Sequence, residues 1–177
     1  MSISWKKISE KPDRAGFRKI LHKTFQLPDG SEHEFTTVDY GVGVALLIGL
    51  TPDNKFVIAR QFRPGPEAIM DEIPGGFIDA GEDHAQAAVR EFREETGFAS
   101  DAQPEFLGAL PRDAYLTGKA HYYLLRDVRK VEEIPDSGEH EFIDIVEISA
   151  DEMIANCTSG KLTDAGGGLL ALRHLGL

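Results

Sequence analysis

The hydrophobic period of the chain changes along its length, and the changes outline an architecture. Residues 17–26 (FRKILHKTFQ) and 33–38 (HEFTTV) read as strands around the turn signal LPDGS. GVGVALLIGL and KFVIARQF form a second such pair around TPDN. Two hairpins therefore precede residue 63. The stretch RPGPEAI interrupts the sheet pattern, and IMDEIPGG gives a short strand ending in glycines. Ala85, Ala88, Val89 and Phe92 then recur at the spacing that lines one helix face. Strand-like runs return at PEFLGAL, KAHYYLLRDV and EFIDIVEI, and helical patterns close the chain at 149–157 and 163–174. Several strands, one helix, more strands and terminal helices predict an α+β sandwich with a mixed sheet rather than a doubly wound fold.

Composition narrows the picture. With 177 residues and 41% hydrophobic content, a single domain over 1–177 can bury a core of its own. A formal net charge of −11 argues against surfaces that grip nucleic acid or anionic membrane, so an anionic ligand must be held locally, by metal or by a few arginines. One cysteine, Cys157, leaves no intrachain disulfide and no cysteine-based zinc site. The opening MSISWKKISEKPDR has no apolar core of signal-peptide length, and no run approaches the roughly 18 apolar residues of a membrane span. A soluble, cytoplasmic protein is expected. The histidines are dispersed without zinc-ligand spacing, TGKAH lacks the pattern of a phosphate-binding loop, and DAGGGLL reads as a permissive helix entry.

The chemistry concentrates in GGFIDAGEDHAQAAVREFREETGF, residues 75–98. On a helix, Glu91, Glu94 and Glu95 stand at i, i+3 and i+4 and project from one surface. Like charges so placed cost some tenths of a kcal/mol per pair. A divalent cation reverses that sign, and clustered carboxylate oxygens are the ligands that Mg²⁺ prefers.

From Gly76 the chain runs five residues to Glu82, seven more to Arg90-Glu91-Phe92-Arg93-Glu94-Glu95-Thr96, and on to Gly97-Phe98. This resembles the signature of the Nudix hydrolase family, G-x5-E-x7-R-E-U-x-E-E-x-G-U with U a bulky apolar residue, at every specified position. A chance match in a chain this long is on the order of 10⁻⁷ from average residue usage. The stretches VIARQFRPG and SGKLTDAGGGLLALRHL are similar to the branch that cleaves ADP-ribose and nucleoside diphosphate sugars. The resemblance implies an α/β/α sandwich, with residues 1–40 as an N-terminal extension of antiparallel strands that builds a homodimer and 41–177 as the core. It also implies Mg²⁺-dependent hydrolysis, Mn²⁺ being a substitute, that yields a nucleoside monophosphate and a sugar phosphate.

Within such a box Glu91 and Glu95 are expected as direct metal ligands, with Glu94 and Glu82 contributing directly or through metal-bound water. Gly75 and Gly76 turn the backbone and bring a carbonyl towards the metal. Arg90 is expected to hold a carboxylate in its ligating rotamer. Gly97 fits a left-handed helix cap, and Phe92, Val89 and Ala88 read as core. The resemblance places the base that activates water on a loop after the box, where DSGEHEF supplies Glu139 and Glu141, the former preferred. Arg63 matches an arginine near the diphosphate, with Arg60 beside it. Glu72 is placed to accept from ribose hydroxyls or to order the loop, Arg112 to face the substrate, and Tyr115 or Phe17 to stack on a base. One departure stands out: the ADP-ribose branch often carries a proline where this chain has Ala114, with Pro111 three residues earlier, which leaves another sugar such as GDP-mannose open. The remaining alternatives are hydrolysis of dinucleoside polyphosphates or oxidised nucleoside triphosphates, and a non-catalytic nucleotide-sugar sensor.

Overall fold

The computed structural model describes residues 5–15, 18–131 and 142–177. It folds as two compact units, one taking in the chain up to Gly43 together with Pro111–Lys119, the other Val44–Leu110 with Ala120–Leu177.

In the first unit β1 (Lys6–Ala15), β2 (Arg18–Gln26) and β3 (Glu32–Asp39) pair antiparallel in that order. LPDGS makes the β2–β3 turn: Leu27 N–H donates to Ser31 O at 2.8 Å, and Gly30 takes φ 88°. Strand β1 is an addition to the sequence reading. KKISEKPDRA shows no apolar alternation and every residue is exposed, so the ladder to β2 makes it a strand. As an edge strand it tolerates Pro12, which lacks an N–H. Trp5, Phe25 and Phe35 meet at ring-centre distances of 5.2–6.2 Å. The segment Pro111–Lys119 joins this unit through Val38, whose N–H donates to Tyr115 O and whose carbonyl accepts from Thr117 N–H, each at 2.9 Å. The Thr117 hydroxyl donates to Asp39 at 2.7 Å and holds that carboxyl below its usual range.

The second unit centres on a mixed sheet. β4 (Gly43–Leu50), β5 (Phe56–Arg63), β9 (Glu105–Leu110), β10 (Lys119–Arg126) and β12 (Ile143–Ile148) lie in the order β12-β5-β4-β10-β9. The segment read as one short strand is two: β6 (Ala68–Glu72) extends from β5, and β7 (Gly75–Phe77) pairs with β4. β8 (Phe98–Ala99) and β11 (Arg129–Lys130) form a small ribbon. The helices are α1 (His84–Thr96), α2 (Ala150–Ser159) and α3 (Ala165–Leu175).

Every residue of β4 is buried, as its unbroken apolar run requires of a strand covered on both faces. Successive residues of β10 divide the layers. Tyr123 and Leu125 pack with Ala87, Ala88 and Phe92 of α1. Tyr122 points the other way, and its ring fills the space where a Cβ on Gly167 of α3 would sit. The DAGGGLL glycines thus permit close packing of α3 against the sheet, and the layers run helix, sheet, helix. Among the described residues no helix is long and apolar enough to cross a membrane.

Candidate active site

Helix α1 is set at both ends by its sequence. The Asp83 side chain caps the start, accepting from the N–H groups of Ala85 and Gln86 at 3.0 and 3.2 Å. Gly97 ends it in the left-handed conformation, φ 70°, its N–H reaching Arg93 O. Burial of Ala87, Ala88 and Phe92 fixes the rotation about the helix axis. Arg90, Glu91, Glu94 and Glu95 are thereby turned from the core.

These charges converge on one guanidinium. Arg90 donates from Nε and Nη2 to the two oxygens of Glu82, each at 2.9 Å, and from Nη1 to Glu91 at 2.7 Å and Glu94 at 3.3 Å. Glu82 comes from the loop before α1, where it also accepts from Asp79 N–H at 3.1 Å. The Arg90 hydrogen bonds, then that of Asp79, hold the Glu82 carboxyl down at about 2, while the same carboxylates raise the guanidinium above its ordinary value. Repulsion among the glutamates is thus offset by a resident cation. Among the described residues no three acidic, histidine or cysteine side chains are gathered as metal ligands.

The glycines face this cluster. Gly75 has φ 151°, its N–H donates to Glu95 at 2.9 Å, and a Cβ there would overlap the Ala45 carbonyl. A Cβ on Gly76 would overlap the Glu91 carboxylate. Glu91 and Glu95 therefore both lie against the backbone of β7, where hard oxygen donors are brought beside a strand that only glycine lets approach.

The β5–β6 hairpin carries two further carboxylate–arginine pairs, from neighbouring residues Asp71 and Glu72. Arg63 pairs with Glu72 through Nε, at 2.6 Å, and Nη2, and Gln61 donates to the same carboxylate at 3.2 Å. Arg60 pairs bidentately with Asp71, at 2.7 and 3.0 Å. Asp71 has no exposed surface and also accepts from Asn156 of α2 at 2.8 Å, with the Lys161 ammonium 3.4 Å away. Burial alone would raise the Asp71 carboxyl; the Arg60 hydrogen bonds and charge, with Lys161, carry it below its ordinary value.

The structure therefore gathers Glu82, Arg90, Glu91 and Glu94 into one group, seats Glu95 on Gly75, and joins Arg63 to Glu72. Arg60 is committed to the buried Asp71. Arg112 and the exposed Tyr115 belong to the other unit. Glu139, Glu141 and Phe17 lie outside the described residues. The sequence reading overlooked Gln61 and Asp71. Adjacent acids in MDEI, an apolar strand pattern, were the available signal, since one of the two had to point inward and find a cation.

Comparison with known proteins identifies the family. The chain is similar to a methanol dehydrogenase activator of Bacillus methanolicus, 28% identical over 147 residues that cover 83% of this chain and 79% of the relative. It is similar to an ADP-ribose pyrophosphatase of Bacillus subtilis, 26% identical over 140 residues, 79% of this chain and 75% of the relative. The fold matches a crystal structure described as an ADP compounds hydrolase, with a TM-score of 0.77 at 17% identity, over 99% of this chain and 96% of the other. The NUDIX domain model matches residues 39–165, which include the whole carboxylate cluster and its glycines, and this chain belongs to that family.

Proposed function

We propose that this chain hydrolyses the diphosphate linkage of ADP-ribose or a related nucleoside diphosphate sugar, such as GDP-mannose, to a nucleoside monophosphate and a sugar phosphate. The observation that carries the reading is the set of glutamates around Arg90 and on the β7 glycines, together with the Arg63–Glu72 pair. Likeness to an ADP-ribose pyrophosphatase supports the substrate class.

The donor set fits a divalent cation, with Mg²⁺ as our choice and Mn²⁺ as a substitute: the oxygens are hard, and Gly76 leaves room for the Glu91 carboxylate. Glu91 and Glu95 would hold it, with Glu94 and Glu82 as direct or water-mediated partners. Such an ion supplies charge neutralisation for two adjacent phosphates. Arg90 orients the carboxylates, because its planar fork fixes the directions of Glu82 and Glu91. Arg63, whose guanidinium suits bidentate contact with phosphate oxygens, grips the diphosphate, with Glu72 as the group that keeps it extended. Arg60 acts through Asp71 by anchoring the hairpin. Glu139 or Glu141 takes the proton of the attacking water. Arg112 adds a substrate contact that a raised KM in Arg112→Ala would report. The N-terminal strands build a homodimer; a light-scattering mass near 19.5 kDa would refute that part.

The test is incubation with Mg²⁺ or with EDTA against ADP-ribose, GDP-mannose, ADP-glucose, a diadenosine polyphosphate and a nucleoside triphosphate, with products identified by mass. Metal-dependent release of a monophosphate and a sugar phosphate from the first three is expected. Cleavage confined to the last two would overturn the substrate class. Likeness to a methanol dehydrogenase activator favours a second reading, in which the chain serves a partner enzyme, and turnover of free nucleotide sugar by the chain alone would decide against it.

A further inference from the structure

Gln61 and Arg63 share one face of the β5–β6 hairpin with Glu72, because Ala59 stands opposite Glu72 in the ladder and alternate residues project together. Arg63 is four places beyond Ala59, about 13 Å along the strand. Its guanidinium therefore reaches Glu72 by lying back past Gln61. The Glu72 side chain is 11% exposed, against 44% for Arg63. Arg63 donates from Nε to one carboxylate oxygen and from Nη2 to the other, and the Gln61 amide donates to that second oxygen at 3.2 Å. Two parallel bonds hold guanidinium and carboxylate in a common plane, so the carboxylate sets the plane of the fork. That plane is soft by itself, since the terminal torsion of a glutamate has a broad, two-fold profile. Gln61 supplies a restraint from outside the pair, and none of the proposed hydrolytic roles uses it.

We infer that Gln61 is a positioning residue for the Arg63 guanidinium and acts through Glu72. The inference rests on the reading of Arg63 as the grip on the diphosphate. A carboxylate only accepts, so the Gln61 amide presents its nitrogen to Glu72. Held at that oxygen, Glu72 cannot turn about its last bond without breaking the Gln61 contact, and the Arg63 fork keeps one plane before substrate arrives. Bidentate recognition of a phosphate depends on that plane, since both parallel N–H groups must point at oxygens at once. Position 61 therefore calls for a donor. An apolar side chain there removes the restraint, and a carboxylate repels Glu72 and competes with it for Arg63.

The test is a double-mutant cycle on ADP-ribose hydrolysis, joined to nitrogen NMR of the Arg63 Nε–H in the ligand-free chain. Gln61→Leu is expected to raise KM roughly three- to tenfold with a smaller change in kcat, and to change KM less than about twofold when Arg63 is already alanine. Gln61→Glu, nearly the same shape as the parent, is expected to raise KM further. In the NMR spectrum the Arg63 Nε–H should exchange with solvent about threefold faster or more in both Gln61 variants than in the parent. An equal KM effect of Gln61→Leu with and without Arg63 would overturn the inference, as would a loss of kcat and Tm with KM unmoved. Unchanged Nε–H exchange in both variants would overturn it too, whatever the substrate proves to be. Absence of turnover by the parent would refute the hydrolytic reading and leave the NMR result to decide the role of Gln61.

Discussion

Arg60 and Asp71 form a bidentate ion pair across the β5–β6 hairpin, and its carboxylate is fully enclosed while its guanidinium reaches the surface. The backbone of Asp71 is anchored as well, its N–H donating to Lys161 O and its carbonyl accepting from Thr163 N–H, each at 3.0 Å. One residue thus ties β5 and β6 to α2 and to the α2–α3 connection. Removing the carboxylate alone, as in Asp71→Ala, leaves Arg60 and Lys161 without their counter-charge. A loss of about 3 kcal/mol in urea unfolding at neutral pH is expected. The double variant Arg60→Met/Asp71→Leu should lose less, because the guanidinium is then gone and only the solvent-exposed Lys161 ammonium is left without its counter-charge.

The same pair sets an acid limit. Because the folded Asp71 carboxyl lies below its ordinary 3.8, its contribution is complete above that value and is lost as pH falls through the lower, folded one. Unfolding free energies measured from neutral pH down through the acid range should fall more steeply in the parent than in Asp71→Asn. Parallel profiles would show that Asp71 carries no such linkage.

Gly75 and Gly76 are adjacent, yet their alanine variants should fail differently. An added Cβ at Gly75 meets backbone at Ala45, in a conformation alanine rarely adopts, so Gly75→Ala should lower the Tm by an amount corresponding to about 1–3 kcal/mol. At Gly76 the obstacle is the flexible end of Glu91. Gly76→Ala should keep most of its stability and lose hydrolysis, with the Mg²⁺ concentration for half-activity raised; equal Tm losses in the two variants would refute the distinction.

Arg63 and Glu72 should separate binding from chemistry. With Arg63→Ala the diphosphate loses charge-assisted hydrogen bonds of about 1.5–3 kcal/mol, which corresponds to a KM rise of roughly ten- to a hundredfold with a smaller change in kcat. Steady-state kinetics on ADP-ribose would read this. Arg63→Lys should recover only part of the loss, since an ammonium lacks the planar fork.

Arg90 should act on the carboxylates before any metal is present. In metal-free protein, Glu82 observed by carbon NMR should titrate at about 2. Arg90→Gln should return it towards its ordinary 4.5, because the largest cause of the depression is the Arg90 hydrogen bond. A Glu82 midpoint that stayed low in the variant would transfer the cause to Asp79 N–H.

The sequence by itself determined the family and the order of the elements that bury an apolar face. Periodicity is a local property, and an unbroken apolar run such as β4 or the 3.6-residue stripe of α1 records burial directly in residue order. The box was legible for the same reason, since Glu82, Arg90, Glu91, Glu94 and Glu95 lie within one loop and one helix, and helix geometry alone turns the last four together. Strand β1 was not legible, because its residues bury nothing and only the β2 ladder makes them a strand. The pairing choices were also tertiary. That Arg60 takes Asp71 while Arg63 takes Glu72 follows from the pleat, which sends neighbouring carboxylates to opposite faces of the hairpin. The meeting of His84 with His121 depends on how α1 lies on β10, and a contact 37 residues long leaves no mark in a local pattern.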